Sequence, residues 1–500
     1  MDMELSKALE QLAKLQLTMH AYNHAQGAVY LDSATVAPRG TAEARSQTMG
    51  ILSEKSYQLA TCPETCELIH ELMSQHDELS AEQNRQVELL KEGLDKLTRI
   101  PMEEFVEYSK LTNEAESVWY TAKEKSDYAM FRPYLEKLVN FNRRFAGYKN
   151  PDLPPYDALL DEYEKGITQT MLDHFFSALR DQLVPLLMEV KDLPIDDTFL
   201  KGCFSEAAQR ELSGELMRLL ALDPMHSAIH TSEHPFTIGF SKYDVRITTH
   251  YYEEAVASSL YSVMHECGHA LYDMGVADEY QYTVLADGAS MGIHESQSRF
   301  YENIIGRNAG FAAYVLPLIQ RLFPGQMSGV TERDFYRAIN RIKPSLIRIE
   351  ADELTYSLHI MVRYELEKAL IAGTLHTKDL PETWNRMYKE YLGVTVPTDA
   401  QGVLQDTHWA GGAFGYFPSY ALGSAYAAQF AHTMHKDLDI VTLSREGRLA
   451  PITSWLRKRI HRHGMLFKPM VLLEKACGEP FDAQYYITYM EQKMKDVYGL

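Results

Sequence analysis

At 500 residues and 45% hydrophobic content the chain can bury a large core, and a length prior allows two to four domains. Its 49 Lys and Arg against 69 Asp and Glu leave a formal net charge of −20, which argues against nucleic acid or an anionic membrane as partner. The five cysteines, Cys62, Cys66, Cys203, Cys267 and Cys477, are too few and odd in number for a disulfide framework, and no run approaches the roughly 18 apolar residues of a membrane span.

The segment Met1–Lys7 lacks a basic stretch followed by an apolar one, so no secretory leader is read and a cytoplasmic location is expected. Residues 4–29 read as an amphipathic helix with Leu5, Leu12, Leu15, Leu17 and Met19 among charges, ending near Gly27, before a break over Asp32–Gly40. Long helices are expected from 41 to about 145, with Ser80-Ala81-Glu82-Gln83 as a capping sequence and almost no strand signal. Cys62 and Cys66 resemble half a metal clip, but no second pair exists to complete it. Pro151–Pro155 reads as a loop, and helices resume over 157–190 and 204–221.

The character changes at 227–250. Ser232–Phe240 and Tyr243–Thr249 are rich in β-branched residues and predict a hairpin with a Ser-Lys connection. Period two puts Asp244, Arg246 and Thr248 on one face and Val245 and Ile247 on the other. Facing a cleft, that row offers a guanidinium oriented by a carboxylate to an anionic group; the plainer reading is a cross-strand ion pair.

The most informative stretch follows, Val263-Met264-His265-Glu266-Cys267-Gly268-His269-Ala270-Leu271, an H-E-x-x-H motif within a Pro-free, helix-favouring run. On a helix the two imidazoles fall about 40° apart and reach one metal ion, while Glu266 stands beside it as a general base for an activated water. Cys267 points into the protein. Tyr272 and Gly275 occupy the positions three and six beyond His269, so the metzincin Gly and His are missing and the third ligand must come from elsewhere. Glu295, in a second helical segment reached through a turn at Asp287-Gly288, is the best candidate, because two such helices can lie antiparallel; His294 and Glu302 are its rivals.

A long helix is expected to open at Leu346 and run to about 371, with Arg348 and Asp352 paired four residues apart. The last informative segment, Gly402–Tyr420, clusters glycines and aromatics and can present His408, Tyr416 or Tyr420 inward as hydrogen-bond donors.

Together these segments resemble the M32 metallocarboxypeptidases, the carboxypeptidase Taq family, along the full chain. The marks stand in order: His234-Pro235-Phe236, Asp244-Val245-Arg246-Ile247-Thr248, His265-Glu266-Cys267-Gly268-His269, His294-Glu295-Ser296-Gln297, Ile347–Asp352 and Gly402–Trp409. Tyr30-Leu31-Asp32 departs from a family preference for Trp before the Asp. The resemblance implies one mainly α, saddle-shaped peptidase unit over residues 1–500, with a deep groove and a small hairpin or sheet beside the H-E-x-x-H helix, usually as a homodimer. It implies removal of single C-terminal residues from peptides with broad specificity, one zinc ion per chain with cobalt as a possible substitute, and His265, His269 and Glu295 as its ligands. Glu266 is then the base, with Tyr420 and His408 assisting the oxyanion. Substrate is expected to contact Arg348, Arg246, His234, Asp244, Thr248, Gln405 and Tyr416, and to add as a strand along Asp244–Thr248. A groove-type endo-oligopeptidase or peptidyl-dipeptidase with the same metal site is the alternative.

Overall fold

The computed structural model describes residues 3–500; Met1 and Asp2, part of the segment read for a leader, lie outside it. Regular structure there consists of twenty-one α-helices, several single turns and one three-stranded sheet, so the chain is mainly α. None of these helices is long and apolar enough to cross a membrane.

The first helix, Met3–Thr35, runs past its expected end at Gly27. A Cβ there would lie 3.1 Å from both Ile238 and Phe240, so the missing side chain admits the sheet and does not stop the helix. The capping sequence at Ser80 forms as read: the Gln83 amide donates to Ser80 Oγ at 3.2 Å and the Ser80 amide to Gln83 Oε1 at 2.9 Å. These N-terminal helices share a small core of Leu5, Leu12, Leu15, Leu68, Ile69, Leu72, Val87 and Leu90, while a second, much larger cluster of buried residues runs from Ile100 to Val497.

The sheet places β3 (Asp244–Thr249) between β1 (Ser227–Thr231) and β2 (Thr237–Ser241). β2 and β3 are the expected hairpin, with Thr237 opposite Ile247 and Ile238 opposite Arg246. β1 was not expected; Ser-Ala-Ile-His-Thr is short and mixed, and it pairs parallel to β3 only because the tertiary fold brings it there. Both edges of β3 are therefore occupied, and the expected addition of a peptide strand along Asp244–Thr248 is corrected: added strands find hydrogen bonds only at the outer edges.

The two faces of the sheet have separate duties. Val245 and Ile247 are buried on the side of the long helix Val256–Gly275, where a Cβ on Gly239 would come 2.6 Å from Asp273 Oδ2. Asp244, Arg246, Ile238 and Phe240 share the other side, which meets the first helix at Gly27.

Three helices converge beside the sheet through glycines. A Cβ on Gly268 of Val256–Gly275 would sit 2.6 Å from the Gln297 carbonyl oxygen, and one on Gly423 of Pro418–Met434 would sit 2.5 Å from Glu295 Cγ. Their absence lets both helices close on Met291–Arg299, which carries Glu295 and continues as a π-helical stretch, Phe300–Ile305. The long helix near residue 350 starts later than expected, at Glu353, because Asp352 caps it by accepting the Thr355 amide at 2.9 Å. Asp352 is thereby unavailable to Arg348, which sits in a separate 3₁₀ turn, so the expected brace between them does not form.

Candidate metal centre and active site

His265 and His269 project from one side of Val256–Gly275, and Glu295 meets them from the facing helix. Glu295 Oε2 is 3.7 Å from Nε2 of each histidine. Two ligands at about 2.1 Å in tetrahedral geometry stand roughly 3.4 Å apart, so the trio is spaced to hold one small cation. His265 pairs with Glu302 and His269 with His294, so rising positions on one helix meet falling positions on the other, and the two run antiparallel as expected.

The rivals for third ligand lie behind the first two. Glu302 Oε2, 2.9 Å from His265 Nδ1, accepts a hydrogen bond from its N–H, which leaves the Nε2 lone pair free. Burial opposes the charge on Glu302, yet Arg299, His265 and Arg307 overcome it and hold this carboxyl well below the usual range. On the other side His269 Nδ1 is 2.6 Å from His294 Nδ1, and His294 Nε2 is 3.1 Å from Asp273 Oδ1, a chain of contacts that orients the second imidazole. Burial also opposes a charge on His265, but Glu295 and Glu302 outweigh it and raise its pKa, whereas burial, with His294, His265 and Arg299 nearby, holds His269 well below the ordinary range. Glu302→Gln, which keeps the shape and removes the charge, is expected to weaken Co²⁺ binding about 10- to 100-fold in chelator competition. An unchanged dissociation constant would remove Glu302 from this role.

Glu266 is buried, and burial raises its carboxyl above the ordinary range. Thr237 of β2, absent from the sequence reading, donates to Glu266 Oε2 at 2.7 Å and so holds that carboxyl in place. Cys267 is fully buried, as expected.

Arg348 is buried and held by Asp406, whose Oδ1 accepts from Nε at 3.0 Å and lies 2.9 Å from Nη2. Asp406 also takes Arg363, at 2.7 Å from its Nε. Two arginines thus share one carboxylate, leaving net positive charge in a buried place. Arg348 lies 5.0 Å over the Tyr420 ring, and Tyr420 precedes Gly423 by three residues on the helix that packs on Glu295, so the arginine and the ligand border one space. His408 Nε2 is 3.2 Å from the Tyr420 hydroxyl, and the Tyr416 and Tyr420 rings are 5.0 Å apart. Burial, with Arg348 and Arg363 nearby, pushes His408 down to about 4, so it is neutral at pH 7.

The other residues expected to contact substrate have partners of their own within the fold. Arg246 lies on the sheet face away from the helix Val256–Gly275, paired through Nε and Nη2 at 2.8 Å with Asp244 of its own strand, where the plainer reading is a cross-strand pair, and with its guanidinium carbon 4.8 Å from the Phe240 ring centroid. Thr248 is fully buried and ties the turn before β2 by accepting the Phe236 amide at 2.8 Å. Gln405 accepts from the Arg348 amide and Arg363 and donates to Leu346 and Tyr388, so its amide braces the arginines and has nothing left for a ligand. His234 is exposed, its carbonyl held by Ser232 at 2.6 Å.

Two buried carboxyls hold the frame. Glu367 accepts from Tyr156, Trp409 and the Gly415 amide, each at 2.8 Å, and so pins both ends of the Trp409–Gly415 loop that follows His408. Glu164 accepts the Gly292 amide at 2.9 Å at the start of the Glu295 helix. Burial pushes both up from 4.5 to about 7. The fold keeps these protons while an unfolded chain gives them up near pH 4.5, so stability is full below that value and falls as pH rises toward 7, at most about 1.4 kcal/mol per pH unit for each group. Glu367→Gln should therefore compare better with wild type in urea unfolding at pH 7 than at pH 5; a constant difference would refute the assignment.

An H-E-x-x-H helix with a carboxylate from an antiparallel neighbour, spaced to hold one cation, is an arrangement of the kind found in metal-dependent peptide hydrolases. Residues 11–494 match the family model described as carboxypeptidase Taq (M32) metallopeptidase. The chain is 42% identical over 502 residues to carboxypeptidase 1 of Bacillus subtilis, covering all of both, and 37% identical to thermostable carboxypeptidase 1 of Thermus thermophilus, covering 94% of each. The M32 carboxypeptidase of Deinococcus radiodurans superposes with a TM-score of 0.96 at 34% identity, over 99% of this chain and all of that one. The chain belongs to the carboxypeptidase Taq (M32) family and is a metallocarboxypeptidase.

Proposed function

We propose that the enzyme removes single residues from the free C-termini of peptides, with one zinc ion, replaceable by cobalt, held by His265, His269 and Glu295. Two imidazoles and one carboxylate suit that ion and leave a position open. When bound, it supplies a lowered water pKa and a polarised carbonyl. Glu266, oriented by Thr237, takes the proton of the attacking water and returns it to the leaving amine. With its proton on Nε2, neutral His408 donates to the Tyr420 oxygen and leaves the Tyr420 O–H free for the developing oxyanion.

The observation that carries the exopeptidase reading is the excess charge of Arg348 and Arg363 over Asp406 beside Tyr420. A substrate's terminal carboxylate neutralises it and sets the last peptide bond at the metal. Broad specificity follows if the main chain is bound at the outer edge of β2, where Gly239 is exposed and Thr237 adjoins Glu266. A homodimer in the cytoplasm belongs to the same proposal.

Mass spectrometry of an unblocked peptide incubated with metal-loaded protein tests this. Expected products are free amino acids and a ladder shortened one residue at a time from the C-terminus. Dipeptides or internal fragments would instead establish a peptidyl-dipeptidase or endo-oligopeptidase.

A further inference from the structure

We propose that Tyr356 is a positioning residue that couples the carboxylate anchor to the metal ligands through the two ends of one side chain. The proposal rests on the reading of Arg348 as that anchor. Tyr356 stands in the first turn of Glu353–Ala372, 7% exposed.

Its hydroxyl oxygen accepts a hydrogen bond from Arg348 Nη1 at 3.1 Å. A guanidinium has five N–H groups; Asp406 engages Nε and Nη2 of Arg348 and Tyr356 engages Nη1, so two N–H groups remain, one on each terminal nitrogen. A pair of that kind matches the fork of a carboxylate. Asp406 grips the guanidinium along one edge only, and the Tyr356 oxygen supplies the second point that stops it turning about its stem.

The ring has the other duty. The guanidinium carbon of Arg299 lies 4.2 Å from its centroid, a close cation–π contact away from water. Arg299 Nε donates to Glu295 Oε1 at 2.7 Å and its Nη1 to Glu302 Oε2 at 3.1 Å. Glu295 is thereby presented to the histidines through Oε2, and Glu302 is steadied behind His265. This contact steadies the guanidinium that aligns both carboxylates. Arg299, paired with Glu295 and Glu302, and Arg348, which shares Asp406 with Arg363, both lie against this one phenol, so neither can move without disturbing the packing of the other.

Three variants of the full-length protein separate these duties from simple core packing. Tyr356→Phe keeps the ring and loses the acceptor: KM for a free-acid peptide should rise about tenfold, with kcat within about twofold and the Co²⁺ dissociation constant unchanged. Tyr356→Leu loses both, and should add to the same KM rise a Co²⁺ dissociation constant weakened about tenfold in chelator competition. Arg299→Lys keeps the charge without the stacked plane and should weaken Co²⁺ in the same way, which preserves the second arm where the Leu variant does not fold. An unchanged KM in Tyr356→Phe, or wild-type Co²⁺ binding in either Tyr356→Leu or Arg299→Lys, overturns the proposal. Arg348→Ala distinguishes the two layers: if it retains the preference for free-acid over amidated peptides, the anchor reading fails; if it loses that preference while Tyr356→Phe behaves as wild type, only the positioning role fails.

Discussion

Glu266→Gln is expected to lower kcat about 10³- to 10⁴-fold while the protein binds its metal ion with unchanged stoichiometry. The amide is nearly isosteric with the carboxylate and can still accept from Thr237, so fold and metal ligands are undisturbed. What is lost is the capacity to take a proton at a carboxyl that burial already holds above its ordinary pKa. Turnover on a free-acid peptide, with metal content measured on the same sample, decides the matter; a variant still cleaving at about a tenth of the wild-type rate would exclude Glu266 as the base.

The second large effect belongs to Arg348. Arg348→Ala should lower kcat/KM on free-acid peptides about 100- to 1,000-fold, the usual scale for removing one partner of a buried charge pair. Cleavage of C-terminally amidated peptides, already slow, should hardly change. Asp406 keeps Arg363, so no bare carboxylate is left behind and the protein should fold. Arg348→Lys should restore little, because an ammonium restores the charge without the two-pronged geometry. Were the wild-type enzyme to cut amidated and free-acid peptides equally well, the anchor would be elsewhere.

Much of the centre was legible because its logic is local. His265 and His269 share a helix face by spacing alone, and Glu266 follows from the same geometry. Glu295 could be placed only among three candidates, since the choice depends on which side chain of a second helix faces the first. Gly268 and Gly423 decide that by allowing helices close enough that Glu295 meets both imidazoles while Glu302 and His294 fall behind them. The partners of buried polar groups were less legible. Thr248 and Gln405 carry donors and acceptors that a sequence cannot show to be already spent. Arg348 was given its helical neighbour Asp352, but its partner is Asp406, 58 residues further on.

The sequence by itself therefore determined the chemistry: a helix able to offer two imidazoles and a base, a largely helical chain around it, and six ordered motifs whose combination points to one family. Hydrophobic period and side-chain spacing are enough for that, because neighbours along a helix are neighbours in space whatever surrounds them. Only the tertiary structure decided that β3 is an inner strand, that Arg246 faces away from the metal helix and that Tyr356 stands between Arg299 and Arg348. Those are contacts between distant segments, settled by how the helices and the sheet pack, and no local pattern encodes which partner a buried polar group will find.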